Sequence, residues 1–79
     1  MEVQAIKKED IVIGTKFIRM GKKRKDIETV YDIFKTYNSA GELVNTVYGV
    51  EHLFMGQVIR DTVNVVTIQR GIMEYGEIK

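Results

Sequence analysis

Ile27-Glu28-Thr29-Val30-Tyr31-Asp32-Ile33-Phe34-Lys35-Thr36-Tyr37, followed by Asn38-Ser39-Ala40-Gly41-Glu42 and then Leu43-Val44, decides the fold of this chain. Thr, Val, Ile, Tyr and Phe fill the first run, and side chains of that kind fit a pleated, half-buried surface better than a helix. Strict alternation would put Ile27, Tyr31, Ile33 and Tyr37 on one face, and Val30 and Phe34 with Asp32 on the other. Both faces are thus partly apolar, as in a central or strongly twisted strand. The segment 38–42 has the chemistry of a type I turn closed by a glycine in the left-handed region. It predicts a hairpin between a strand over 27–37 and a second over 43–54.

Working outward, a shorter strand is expected over 15–20, with Phe17 and Arg19 on one face and Ile18 and Met20 on the other. Gly49 interrupts the 43–54 strand and predicts a bulge or tight bend. Met55-Gly56-Gln57 reverses the chain into a further strand over 58–69, in which the apolar positions change parity from Val63 and Val65 to Val66 and Ile68. A bulge or doubly buried strand end is the expected cause. Residues 1–10 are expected to form an irregular or helical arm, and 72–79 a weakly ordered tail. The fold class predicted is all-β, an antiparallel meander of four to five strands forming a strongly curved sheet or a small, partly open barrel.

Seventy-nine residues make a single domain, 1–79. A chain of this size buries roughly 63% of its unfolded surface, enough to fold without staples. Hydrophobic residues form 44% of it, too many for a disordered segment. There is no cysteine, which excludes disulfides, thiolate metal sites and cysteine nucleophiles. The first ten residues lack an apolar core, so no signal peptide is expected, and no apolar stretch is long enough to predict a membrane span. A cytoplasmic location is the expectation.

Four consecutive cations, Lys22-Lys23-Arg24-Lys25, are the one concentration of a single chemistry, with Arg19 just upstream. On a hairpin tip they could track a phosphate backbone. Four neutralised phosphates would give binding that falls about a hundredfold between roughly 50 and 200 mM salt, which is ordinary non-specific affinity. The formal net charge is only +1, well short of a surface built throughout for nucleic acid. A solubilising loop whose like charges discourage association explains the run more simply.

Exposed rings interleaved with such cations would complete a single-strand binding face. Tyr31 and Tyr48 are the candidates for exposed aromatic surface, whereas Phe17, Phe34 and Phe54 are expected in the core. His52 is the lone histidine, and no hydroxyl nucleophile stands in a recognisable elbow beside it. No spacing of acidic or histidine side chains matches a metal site, and Gly14-Thr15-Lys16 lacks the earlier glycine of a phosphate-binding loop. No catalytic residue, metal or cofactor is expected.

The segment from Thr29 through Val44, Thr-Val-Tyr-Asp-Ile-Phe-Lys-Thr-Tyr-Asn-Ser-Ala-Gly-Glu-Leu-Val, resembles small uncharacterised proteins of tailed bacteriophages and prophages, as does Met55-Gly56-Gln57-Val58. The resemblance spans 14–71 and rests on turn chemistry and strand alternation. It implies the cytoplasm of a host bacterium as setting, and carries over no functional residue. The expectation is a non-enzymatic protein that binds a host or phage protein, as a homodimer, with weak sequence-independent nucleic-acid binding through Arg19 and residues 22–25 as the alternative.

Overall fold

A computed structural model describes residues 10–19, 26–76 and 78. The basic run 22–25 and nearly all of the expected arm lie outside the described residues. Four strands, β1 (Lys16–Ile18), β2 (Ile27–Tyr37), β3 (Leu43–Phe54) and β4 (Gln57–Val63), are followed by one helix, α1 (Val65–Tyr75). The strands form one antiparallel meander in the order β1-β2-β3-β4. β1 and β4 are not paired with each other, so the sheet is open rather than a barrel.

The decisive hairpin folds as its residues dictate. Asn38 Oδ1 accepts from the backbone N–H groups of Ala40 and Glu42 at 2.9 and 3.0 Å, and Gly41 takes φ 81°. An Asx-type turn of this kind needs a residue free of left-handed strain at its end, which Gly41 supplies. The other hairpin is tighter. Phe54 pairs with Gln57, leaving Met55 (φ 50°) and Gly56 (φ 79°) as a two-residue loop with both φ positive, the type I′ arrangement.

The expected irregularity at Gly49 is real, but the extra residue belongs to the opposite strand. Val30 pairs with Val50 and Asp32 with Gly49, so Tyr31 is the bulged residue. The bulge resets the side-chain alternation of β2, which is why Val30 and Ile33 both join the core although they differ in parity.

The parity change after Val63 marks a change of element, not a bulge. Asn64 caps α1, its Oδ1 accepting from Thr67 N at 3.0 Å and from Thr67 Oγ1 at 3.1 Å. Val65, Ile68 and Ile72 then share a helical stripe that packs on the sheet, with Ile68 fully buried. Gly71 lets the helix lie against the backbone of β1, since a Cβ there would fall on the Ile18 carbonyl oxygen. The expected strand over 58–69 thus ends at Val63, and residues 72–75 of the expected loose tail belong to the helix. Gly76 N–H closes α1 on the Ile72 carbonyl at 2.8 Å, and Ile78 returns to bridge Lys16.

The core comprises Ile11, Phe17, Val30, Tyr48, Val50 and Ile68, with Ile33, Val63, Val65 and Ile72 packed against it. Each large apolar side chain so buried contributes about 1.5–3 kcal/mol. The helix covers one face of the sheet, the inner face. Among the described residues nothing covers the outer one.

Candidate functional site

Two constellations stand out, one on each face. On the inner face, Phe17 of β1 pairs with Glu28 of β2, and Glu28 is 1% exposed. A lone carboxylate at that depth would be strongly unfavourable. Arg19, one residue beyond β1, compensates it: its Nε lies 2.8 Å from Glu28 Oε2, and its Nη2 donates to Glu28 Oε1 at 3.2 Å. His52 of β3 brings Nδ1 to 3.4 Å from the same Oε1. The Arg19 Nη1 donates to Asp61 Oδ2 of β4 at 3.2 Å. The network therefore joins Arg19, just past β1, to residues of β2, β3 and β4.

Its geometry is tight but uneven. Arg19 Nε, Glu28 Oε2 and His52 Nδ1 are buried and close together without hydrogen-bond alignment. Attraction between the Arg19 guanidinium and the Glu28 carboxylate is chiefly Coulombic, in a setting where screening by water is weak. Among the described residues, no group of three or more His, Asp or Glu side chains is placed to hold a metal ion. Among the described residues, no serine or threonine oxygen hydrogen-bonds to His52 Nδ1. What the arrangement does is tie the strands together and hold the guanidinium of Arg19. Arg19 was expected as part of a cationic contact patch; its charge is instead committed to Glu28 and Asp61, with the side chain only 16% exposed.

The outer face carries the aromatic and apolar features. Tyr31 lies over Gly49, where an added Cβ would sit 2.8 Å from Tyr31 Cζ and 3.0 Å from Phe34 Cε2. The Arg60 guanidinium stacks on the Tyr31 ring at 4.7 Å from its centroid, and Arg60 Nε is 3.4 Å from Glu51 Oε2. Tyr31 is half-buried in this stack. Tyr48, the other expected surface ring, is buried: it faces the helix and belongs to the core, because its neighbours Val47 and Gly49 take the outer side. Phe34, expected in the core, is exposed on the outer face, where the bulge at Tyr31 directs it.

At the end of the sheet formed by the β3–β4 turn, Ile27, Leu53 and Val58 stand on adjacent strands. With Thr29, Glu51 and His52 they line a shallow depression of about 330 Å³. Met55 projects from the turn beside them, 86% exposed. Leu53 and Val58 are Cα partners, so the apolar row is fixed by strand register. Neither Leu53 nor Met55 was singled out from sequence. The available signal was Met in a turn position that favours Asn.

Comparison with protein-family models, curated proteins and solved structures gives no match. Among the described residues, no helix is long and apolar enough to cross a membrane.

Proposed function

We propose that this chain is a small non-enzymatic binding protein that engages a host or phage protein through the apolar end of its sheet: Ile27, Leu53, Met55 and Val58. Met55 carries the reading. It adopts φ 50° in a two-residue turn and leaves its side chain 86% exposed. A left-handed non-glycine residue costs about 1–2 kcal/mol, and asparagine would relieve part of that cost while being more soluble. The fold gains nothing from methionine here. A flexible, polarizable side chain at the tip of an apolar row suits an adaptable contact with another protein.

The resemblance to tailed-phage proteins supports a partner in the bacterial cytoplasm. Arg19 being held by Glu28 and Asp61 weighs against the nucleic-acid alternative, which is left with residues 22–25.

Nuclease-treated bacterial extract passed over immobilised protein tests this. A partner retained by the parent should be lost when Leu53 and Met55 both become Asp, and kept when Lys22, Lys23, Arg24 and Lys25 all become Ser. Retention that survives the first variant and disappears in the second would replace the proposal with charge-driven binding. Salt-sensitive retention of the parent on DNA, lost in the serine variant, would do the same.

A further inference from the structure

Strand register lays out the depression at the β3–β4 end of the outer face in rows. Leu53 and Val58 are Cα partners at the end of the sheet, with Ile27 on the next strand, and all three side chains are exposed. One pleat repeat inward, about 6.8 Å along the strands, Glu51 pairs with Thr29 on one side and Arg60 on the other. Thr29 and Glu51 line the depression beside the apolar row, and among the described residues Glu51 is its only carboxylate. Arg60 does not line it.

The position of Arg60 explains this difference. Its guanidinium is stacked on Tyr31, 4.7 Å from the ring centroid, and Tyr31 lies over Gly49, a further repeat inward. Arg60 Nε keeps a long contact of 3.4 Å with Glu51 Oε2. The cation is thus drawn away from the apolar row, while the carboxylate stays at its border. His52 also lines the depression, but its Nδ1 is turned to Glu28. Seen from the depression, the charge is negative.

The geometry points to a lysine or arginine side chain of the partner as what this depression receives. A partner that covered it with apolar groups alone would strip water from the Glu51 carboxylate and return no donor, which is costly. An acidic partner would meet Glu51 with like charge. A lysine or arginine satisfies both rows at once. Its aliphatic stem covers Ile27, Leu53 and Val58, and its charged head reaches inward to Glu51, with the Thr29 hydroxyl as a second acceptor. The contact surface therefore selects a basic residue set among apolar ones. This inference rests on the apolar end of the sheet being the surface that binds, and adds to it the charge of what binds there.

Selection from a displayed library of random short peptides, against the immobilised full chain, is the test. The parent should enrich peptides in which Lys or Arg stands beside an apolar residue. Glu51→Lys should enrich Asp or Glu at that place instead, because the charge facing the depression is reversed. Glu51→Gln, a milder change, should bind the parent's best peptide about fivefold more weakly by fluorescence anisotropy. Leu53→Ser combined with Met55→Ser should enrich nothing, which tests the apolar row itself. Apolar peptides enriched by the parent without a basic residue would overturn the inference and leave the row standing as a contact surface. A basic preference that survives both Glu51 variants would do the same. Enrichment unchanged by the two serine substitutions, or none by the parent, would remove the row as a contact surface and the inference with it.

Discussion

Arg19 Nη1 lies 3.2 Å from Asp61 Oδ2, linking the two edges of a sheet whose edge strands share no hydrogen-bond ladder. In a flat sheet, three strand spacings of about 4.8 Å would hold those edges roughly 14 Å apart. Side chains stand nearly perpendicular to a flat sheet, so contact between them requires the sheet to curl. The same guanidinium neutralises Glu28 on the way across. Curvature and burial of a charge are therefore coupled through one side chain.

Replacing Arg19 by Met should be among the most destabilising single changes. It leaves the Glu28 carboxylate buried without its main partner, which costs about 3–5 kcal/mol. The double variant Arg19→Met with Glu28→Leu should recover most of that loss, since a well-packed apolar pair can replace a buried ion pair. Urea denaturation of the three proteins measures the difference. Equal losses in the single and double variants would mean that Glu28 does not depend on Arg19.

Gly71→Ala tests the seat of the helix. Alanine favours a helix interior over glycine by about 0.8–1 kcal/mol, so an exposed glycine would gain from the change. Here the new Cβ would fall on the Ile18 carbonyl, a backbone atom that cannot swing aside. Overpacking of about 1–3 kcal/mol should win, and thermal melting should show a net loss. A net gain would show that α1 can lift from β1 freely.

Met55→Asn should move stability and binding in opposite directions. The turn gains a residue suited to positive φ, for which we expect a rise of about 0.5–1 kcal/mol in denaturant unfolding. Partner retention in the extract assay should fall, because the exposed apolar side chain is removed. A variant that is both more stable and equally well retained would take Met55 out of the interface.

Much of the frame was legible because its causes are local. The strand over 27–37, the strand over 43–54 and the Asn38–Gly41 turn follow from β-branched and aromatic residues bounded by turn chemistry, and they appear with those limits. The helix was misread for an equally physical reason. Val65-Val66-Thr67-Ile68 has strand propensity, and its helical form rests on the Asn64 cap and on burial of Ile68 against the sheet. The spacing of Val65, Ile68 and Ile72 was the overlooked signal.

The candidate sites were less legible still. Nothing in the sequence marks Glu28 for burial, which depends on Arg19 and His52 closing on it and on Asp61 holding the far side of Arg19. Phe34 leaves its expected place because one extra residue at Tyr31 resets which side of β2 faces the helix, and Tyr48 is covered because β3 turns Val47 and Gly49 outward. Strand identity and turn type are written in neighbouring residues, so the sequence alone determined the meander. Curvature, the pairing of Glu28 and the choice of covered face arise from contacts across strands. Only the tertiary structure could decide them, because those energies depend on which groups leave water together.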